Sequence, residues 1–246
     1  MNLRYQSAAL SHVGNVRELN EDAFCDDTGS GVWCVADGMG GYDAGEVASA
    51  MVVNAVTQAA STLNDTPTLQ QKVEAISNAI QSVNDQLTQE RTLSADSSMM
   101  GCTVIALMTQ EQEGACVWAG DSRLYLLRDN GLYQLSKDHS VVQELLDKGL
   151  IGDQDVGTHP QRHVITRAVG ADVSLELDYL AIDLLPEDVL LLCSDGLYSE
   201  LQPDQIMSVL SAPVECEEKA SRLIEAVLSG NASDNVTVNV IAVEQR

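Results

Sequence analysis

Aromatic residues and long apolar runs are both scarce in this chain. Phe, Trp and Tyr together make up 4% of its 246 residues, so a hydrophobic core has to be built mainly from Val, Leu, Ala and Ile. No apolar run approaches the ~20 residues that a membrane-spanning helix needs. Residues 1–6 contain neither the apolar segment nor the small-residue cleavage site of a secretion signal. These absences predict a cytoplasmic protein without a membrane segment.

Basic residues are also few. The chain has 13 Lys and Arg against 37 Asp and Glu, which gives a formal net charge of −24 at pH 7. Such a charge repels nucleic-acid backbones and anionic lipid surfaces, so neither is expected as a partner. It attracts cations instead. A well-solvated surface accounts for many of these acids, but acids set between apolar residues need a different explanation.

The six cysteines form no Cys-x-x-Cys pair, and most of them lie inside apolar runs. This spacing argues against both a zinc site and a disulfide framework. We expect small buried thiols in a reducing compartment.

Nothing in the sequence divides the chain into parts. It contains no internal repeat, low-complexity tract or Pro/Ser-rich linker, and its length is ordinary for one large domain. Residues 1–246 are therefore expected to form a single domain. A polar, Gly-containing stretch at about 145–165 is predicted to form a surface flap.

Short β-branched or apolar runs bounded by Gly, Asp or Asn predict a chain rich in strands. These runs lie at residues 32–36, 103–108, 115–119, 123–127, 176–182, 189–193 and 236–243. Asp129-Asn130-Gly131, between two apolar runs, predicts a hairpin turn. The last run alternates, so one face carries Val236, Val238 and Val240 and the other carries Thr237, Asn239 and Ile241.

Two long amphipathic helices are predicted in the first half of the chain. Apolar residues recur at helical spacing over 45–63 and again over 69–91. Thr68 and Gln71 form a capping box at the start of the second helix. Shorter helices are predicted at 140–148, 203–210 and 215–229. Because the strands cluster between helix pairs without regular β-α-β alternation, we expect an α+β fold of antiparallel sheets covered by helices.

Carboxylates at strand ends favour a metal site. Three predicted strands are each followed closely by an aspartate, and a fourth aspartate opens the last strand; these are Asp37, Asp121, Asp195 and Asp234. A single Asp-Gly after a strand is more often a turn than a site. Four such placements favour a shared pocket, in which repulsion and desolvation raise the carboxylate pKa values unless a cation is bound. Oxygen ligands without Cys or His select hard ions such as Mg²⁺ or Mn²⁺.

Arg17 precedes two further acids, Glu21 and Asp22, in a polar N-terminal segment. Two interpretations remain open at this point. Arg17 forms a surface ion pair with Glu18 or Glu21, or its planar guanidinium lies beside a metal–carboxylate pocket and binds a phosphate with two donors.

An ordered series of motifs runs from about residue 7 to residue 243. It comprises Gly14-x-Val16-Arg17-x-x-Asn20-Glu21-Asp22-Ala23, Val35-Ala36-Asp37-Gly38-Met39-Gly40-Gly41, Gly45-Glu46-Val47-Ala48-Ser49, Gly101-Cys102-Thr103, Gly120-Asp121-Ser122-Arg123-x-Tyr125, Leu135-Ser136-x-Asp138-His139, Ile165-Thr166-Arg167-Ala168-Val169-Gly170, Ser194-Asp195-Gly196-Leu197 and Asp234-Asn235-Val236-Thr237. The series resembles the metal-dependent type 2C (PPM) serine/threonine protein phosphatases in their compact bacterial form. One Asp-Gly pair is weak evidence, whereas the whole ordered series is specific.

The resemblance implies two stacked antiparallel β-sheets flanked by α-helix pairs, an α-β-β-α sandwich. It also implies two core Mn²⁺ or Mg²⁺ ions, with Asp37 bridging them and Asp195 and Asp234 completing the first site. The Gly38 carbonyl and one acid of the Glu21-Asp22 pair would serve the second site.

Within that pair the resemblance favours Asp22 as the ligand without excluding Glu21. Asp121 together with Asp195 resembles a third, weaker metal site. Arg17 would hold the substrate phosphate.

The implied reaction is hydrolysis of phosphoserine or phosphothreonine in proteins. Two ions ~3.5–4 Å apart activate a bridging water, and the ions and Arg17 neutralise charge on the phosphoryl oxygens. None of the six cysteines lies in a phosphate-binding loop, which argues against a cysteine-nucleophile phosphatase.

One position departs from the family pattern. Some members place a candidate general-acid histidine directly after the bridging Asp-Gly or just beyond the glycine run, where this chain has Met39 and Tyr42. Either a metal-bound water or a histidine elsewhere, His139 or His163, then protonates the leaving group, or a good leaving group needs no general acid.

Two other functions compete with an active phosphatase. A pseudophosphatase that binds phosphoproteins is disfavoured because the expected metal ligands and Arg17 are all present. A two-metal nuclease or phosphodiesterase is disfavoured by the charge of −24 and the lack of a basic stripe. The implied partners are phosphorylated proteins, among them a cognate Ser/Thr kinase and its substrates, and the enzyme is expected to be a monomer.

Overall fold

The structure is a computed structural model that describes residues 3–40, 44–64, 66–93 and 100–245. Its strands are β1 Leu3–His12, β2 Asp22–Asp27, β3 Val32–Met39, β4 Gly101–Cys102, β5 Val104–Gln110, β6 Glu113–Ala119, β7 Arg123–Arg128, β8 Gly131–Gln134, β9 Asp178–Asp183, β10 Val189–Cys193 and β11 Val236–Gln245. Its helices are α1 Ala44–Ser61, α2 Leu69–Leu93, α3 Val141–Asp147, α4 Asp153–Val156, α5 Asp195–Tyr198, α6 Pro203–Leu210 and α7 Cys216–Leu228.

The strands form two antiparallel sheets. The first has the order β1-β11-β10-β7-β8, and the second has the order β2-β3-β5-β6-β9 with the short β4 paired to β3. Large apolar side chains fill the space between the sheets, among them Trp33, Ile105, Leu124 and Leu190. Helices α1 and α2 cover the outer face of the second sheet, and α6 and α7 cover that of the first. The predicted α-β-β-α sandwich is confirmed.

The strongly apolar strands were predictable, whereas two polar edge strands and two short strands were not. All seven predicted runs are strands, and in β11 the valine face packs against the helices while Ile241 packs between the sheets. The hydrophobic pattern did not indicate β1 and β2, which lie at sheet edges and carry many polar residues, or the short strands β4 and β8. An edge strand with one solvated face shows a weaker hydrophobic pattern than a central strand.

The predicted helices also match. The capping box at the start of α2 is present, since the Thr68 hydroxyl accepts from the Gln71 N–H at 3.2 Å and the Gln71 side chain accepts from the Thr68 N–H at 2.9 Å. The four-residue helices α4 and α5 were not predicted. Helix α4 lies inside the stretch 145–165 that the sequence predicts to be a flap.

Two smaller expectations are met as well. Asp129 and Asn130 both have positive φ, 51° and 59°, as a two-residue hairpin turn between β7 and β8 requires. All six cysteines are buried free thiols.

No helix within the described ranges is both long enough and apolar enough to span a bilayer.

The sandwich places its polar strand ends side by side. Asp37 and Gly38 lie near the end of β3, Asp121 follows β6, Asp195 follows β10, and Asp234 precedes β11. Glycine lets these segments approach closely, because a Cβ at Gly196 would overlap the carbonyl oxygen of Asn235.

Candidate active site

A cleft of about 560 Å³ opens where these strand ends meet. Seven of the eight residues that were predicted to bind metal ions or phosphate line it, together with six other residues. The lining consists of Arg17, Glu21, Asp37, Gly38, Met39, Gly40, Thr103, Asp121, His163, Ile165, Asp195, Ser233 and Asp234. Asp22 is the predicted residue that is not part of this lining.

Asp37 lies at the centre of the acidic cluster. Its backbone is fixed by Thr103, whose hydroxyl accepts from the Asp37 N–H at 3.1 Å and whose N–H donates to the Asp37 carbonyl at 2.8 Å. Burial raises the pKa of Asp37 well above its usual value, and the nearby carboxylates of Asp22 and Asp195 raise it further. A cation in the cleft would relieve this repulsion.

Glu21 lines the cleft, and both its backbone N–H and its backbone carbonyl are hydrogen-bonded. Its N–H donates to the side chain of Asn235 at 2.8 Å, and its carbonyl accepts from the Gly38 N–H at 3.0 Å and from the Ser49 hydroxyl at 2.6 Å. The carboxylate lies directly against Gly45, where a side chain would collide with it. The backbone of Glu21 is therefore fixed beside the cleft, and Gly45 leaves room for its carboxylate.

Asp22 lies behind the cleft. Its Oδ2 accepts hydrogen bonds from the hydroxyls of Ser194 and Thr237, both at 2.7 Å. Its Oδ1 is buried and has no hydrogen-bond partner among the described residues. Burial raises the pKa of Asp22 to about 7, although the two hydroxyls lower it. Of the two adjacent acids, Glu21 thus faces the cleft and Asp22 supports its wall.

Two hydrogen bonds fix the backbone at Asp121 and at the preceding Gly120. The carbonyl of Asp121 accepts from the Tyr198 hydroxyl at 2.9 Å, and the preceding Gly120 N–H donates to Nδ1 of His139 at 3.1 Å. Burial raises the pKa of Asp121 to about 7, and Asp195 adds to the rise. Asp121 and Asp195 therefore share one end of the cleft.

Arg17 pairs with Asp234 at 2.9 Å, and its side chain is half exposed. Of the two interpretations left open by the sequence, the cleft position is the one found: neither Glu18 nor Glu21 lies within ion-pair distance of Arg17 in the described structure. One terminal nitrogen contacts Asp234, and a guanidinium has five N–H donors in all. Donors remain available for an anion in the cleft.

The two candidate histidines occupy different environments. His163 lines the cleft and lies 3.8 Å from Asp195, which raises its pKa. His139 is buried against Trp118 outside the cleft lining, and burial lowers its pKa. Met39 lines the cleft, whereas Tyr42 lies outside the described residues.

The donor set fits hydrated divalent cations better than a closed cage. Across the described ranges, no three carboxylate, imidazole or thiolate groups converge closely enough to enclose an ion on their own. Mg²⁺ keeps several waters and usually takes only one or two carboxylates from the protein. A ring of carboxylates around a cleft, with an unpartnered Asp22 Oδ1 in its wall, suits such ions.

Several residues of this site were not singled out from the sequence. Thr103 and Ser233 line the cleft, and Asn235, Ser194 and Thr237 hold its acids in place. Each lies within the recognised motifs or beside one of the predicted aspartates. Their neighbourhood was visible in the sequence, but the acids that Thr103, Ser194, Asn235 and Thr237 hold are 66 or more positions away along the chain.

Comparisons with known proteins identify the family of this chain. The profile of the family described as protein phosphatase 2C matches residues 11–230. The serine/threonine phosphatase stp of Listeria welshimeri is 34% identical over 231 residues, which cover 93% of this chain and 92% of the relative.

Solved structures are similar over almost the whole chain. PppA, a key regulatory component of T6SS in Pseudomonas aeruginosa, has a TM-score of 0.88 at 39% identity, covering 98% of this chain and 100% of its own. The catalytic domain of the phosphatase PstP in complex with two manganese ions has a TM-score of 0.86 at 35% identity. The match covers 99% of this chain and 100% of the PstP chain. The chain belongs to the protein phosphatase 2C family of metal-dependent serine/threonine phosphatases.

Proposed function

We propose that this cleft hydrolyses phosphoserine and phosphothreonine in proteins with the help of Mn²⁺ or Mg²⁺. One observation carries the proposal: a guanidinium and five carboxylates from separate parts of the chain line a single cleft. Such a site combines cation-binding oxygens with a donor that recognises phosphate.

The first core cation is assigned to Asp37, Asp195 and Asp234. Asp37 would also hold the second cation, together with the carbonyl of Gly38 and the carboxylate of Glu21. The support for Glu21 rather than Asp22 is positional, because Glu21 faces the cleft while Oδ2 of Asp22 is occupied by two hydroxyls. This assignment departs from the preference for Asp22 that the sequence gives.

A third, weaker cation is assigned to Asp121 together with Asp195. Both line the cleft, and the carboxyl of Asp121 is buried enough that its charged form is disfavoured without a cation nearby. The backbone bonds from His139 and Tyr198 hold the Asp121 segment in place.

When bound, divalent cations would supply an acidified water for attack on phosphorus and would offset charge on the phosphoryl oxygens. Arg17 binds two phosphoryl oxygens through its remaining N–H donors and stabilises the charge that moves onto them as the ester bond breaks. Its contact with Asp234 fixes the guanidinium at the edge of the cleft. Thr103 keeps Asp37 in place, so the acids do not have to reorganise during the reaction.

The wider setting follows from the same proposal. The substrates are phosphorylated proteins produced by a Ser/Thr kinase that this enzyme opposes. We place the enzyme in the cytoplasm as a monomer, and the charge of −24 makes nucleic acids and membrane surfaces poor partners.

The first test compares three substrates in Mn²⁺ and in EDTA. Para-nitrophenyl phosphate and a phosphothreonine peptide should both be hydrolysed in Mn²⁺ and not in EDTA. Bis-para-nitrophenyl phosphate, a diester, should be a poor substrate because Arg17 recognises a terminal phosphoryl group. Binding of the phosphopeptide without turnover in any Mn²⁺ or Mg²⁺ concentration would instead support the pseudophosphatase, and preference for the diester would support a phosphodiesterase.

A further inference from the structure

A second groove, of about 580 Å³, lies between the N-terminal part of α2 and the outer face of β9. Its floor is apolar and includes Leu69 and Val73 from α2 and Ala181 from β9. Tyr179 also lines the groove and is 56% exposed, which is a large exposed fraction for an aromatic residue in a chain with so few. None of the residues that line the catalytic cleft lines this groove.

Three exposed carboxylates surround this floor: those of Glu74, Glu113 and Asp183. Glu113 and Asp183 lie directly opposite each other on the neighbouring strands β6 and β9. Like charges in that arrangement destabilise a sheet. Within the part of the chain that the structure describes, none of the three has an ion-pair partner within 4 Å.

One nearby cation, Arg128, is already engaged elsewhere. Arg128 donates to the backbone carbonyl of Asp183, but its guanidinium makes two bonds to the carboxylate of Asp188, at 2.8 and 2.6 Å. Glu74 accepts only from the neutral side chain of Gln70, at 2.9 Å. The groove therefore presents three carboxylates without an ion-pair partner among the described residues around an apolar floor, and Arg128 attracts Asp183 at longer range.

The groove also borders the free edge of a sheet. Strand β9 pairs with β6 on one side, and no strand among the described residues pairs with its other side. Such an edge is a template for an added strand, and peptides are commonly bound in this way. Because side chains of an added strand alternate, one set would face the apolar floor and the acids while the other faces solvent.

We infer that this groove binds a basic, extended segment of the enzyme's phosphoprotein substrates. The inference rests on the proposed function for the identity of the partner and on charge complementarity for its chemistry. A phosphorylated site carries about two negative charges, and a chain with a net charge of −24 repels it at long range. Lysine or arginine residues on the same substrate, bound by Glu74, Glu113 and Asp183, offset that repulsion.

The position of the groove sets a spacing between the basic segment and the phosphorylated residue. Strand β6 begins at Glu113 beside the groove and ends at Ala119, one residue before Gly120 and two before Asp121 of the cleft. At ~3.3 Å per residue this strand spans about 20 Å. An extended substrate needs at least about six residues to cover the same distance, so basic residues next to the phosphorylated residue would not reach the groove.

The test uses a triple variant, E74Q/E113Q/D183N, that removes the three charges with little change of shape. Two phosphothreonine peptides of equal length are compared, one with a Lys/Arg-rich segment about eight residues from the phosphothreonine and one with Gln in place of the basic residues. For the wild-type enzyme, kcat/KM should be about ten-fold higher with the basic peptide at low salt, and salt should reduce the difference. In the variant the difference should disappear, while para-nitrophenyl phosphate hydrolysis stays unchanged.

A control variant, D204N/E217Q/E225Q, removes the same number of exposed charges from α6 and α7 on the opposite side of the sandwich. It should keep the preference for the basic peptide. The inference would be overturned if both triple variants lost the preference for the basic peptide equally, or if the wild-type enzyme showed no such preference. A wild-type dimer that hides the β9 edge would also overturn it.

Binding of the unphosphorylated basic peptide, measured by fluorescence anisotropy, separates this inference from the proposed function. Wild-type binding that the groove variant loses supports the groove even in a protein with no turnover. Para-nitrophenyl phosphate hydrolysis without any binding of the basic peptide refutes the groove alone.

Discussion

Asp22 and Asp37 lie directly opposite each other on the antiparallel strands β2 and β3. Both carboxyls have raised pKa values, chiefly because of burial and then because of neighbouring carboxylates. A like-charged pair in this position opposes folding unless a cation or a proton is present. Stability and metal binding are therefore linked at the same strand pair.

The first prediction concerns the pH dependence of stability without metal. Burial raises the pKa of Asp22 from an unfolded value near 4 to about 7. The native state then holds more protons than the unfolded state between about pH 4 and 7, so the contribution of this group to stability is lost as pH rises through that window. In EDTA the Tm should fall between pH 5 and 7.5, and Mn²⁺ at pH 7.5 should restore it.

The variant Asp22→Asn isolates this effect. Its amide keeps an oxygen that accepts from Ser194 and Thr237 but carries no charge. In EDTA at pH 7.5 its Tm should exceed that of the wild type by about 3 °C, which corresponds to ~1 kcal/mol in a domain of this size. The exposed Asp204→Asn is the matched control and should follow the wild-type curve. An unchanged pH slope in Asp22→Asn would contradict the linkage.

A second prediction separates Glu21 from Asp22 as cation ligand. Glu21→Gln should raise the Mn²⁺ concentration for half-maximal activity by about 100-fold, because a charged ligand facing the cleft is lost. Asp22→Asn should raise it by about ten-fold or less, as expected for a residue that supports the ligands without contacting the ion. Mn²⁺ titrations of activity and calorimetric titrations of both variants provide the measurement. The opposite order would assign the ligand to Asp22.

The third prediction concerns the central acid. Asp37→Asn should lower kcat/KM for para-nitrophenyl phosphate on the order of 10³-fold, comparable to removing a preorganised electrostatic contact in other enzymes. Folding should be retained because the change removes a buried charge from a crowded carboxylate cluster. Circular dichroism and a thermal melt in EDTA check the fold. Activity near the wild-type level in Mn²⁺ would remove Asp37 from the site.

Arg17 provides a fourth prediction, in which binding and chemistry are distinguished. Arg17→Lys keeps a positive charge but loses the planar pair of donors, so KM for para-nitrophenyl phosphate should rise about ten-fold with a smaller change in kcat. Arg222→Ala, a surface arginine on α7 that pairs with Glu218, should leave both parameters unchanged. If Arg17→Lys alters the Mn²⁺ requirement and not KM, Arg17 acts through Asp234 and not on the phosphate.

The layered fold and the cleft residues were predictable for a shared physical reason. Buried central strands have strong apolar patterns, and β3, β6 and β10 each end close to an aspartate of the cleft, so strands and candidate acids were found together. The choice between Glu21 and Asp22 was not readable, because it depends on hydroxyls at positions 194 and 237, far away in the sequence. The groove beside β9 was missed for a similar reason, since its acids come from three separate elements.

The last prediction concerns His139, which holds the segment before Asp121. The backbone N–H of His139 donates to the Gly120 carbonyl at 2.9 Å, and Nδ1 of its imidazole accepts from the Gly120 N–H at 3.1 Å. Gly120 has φ +115°, a conformation that other residues rarely adopt, so these two bonds fix an unusual backbone. Loss of the imidazole should loosen the position of Asp121 without removing a group from the cleft.

We therefore expect His139→Ala to resemble Asp121→Ala. Both should lower turnover of a phosphoprotein about ten-fold and raise the Mn²⁺ concentration that it requires, while calorimetry still detects the two tighter cations. His139→Asn should recover much of the loss, because the asparagine carbonyl oxygen can accept from the Gly120 N–H near the position of Nδ1. A merely structural role would lower the Tm of both His139 variants without changing the Mn²⁺ requirement, and that result would reject His139 as a positioning residue.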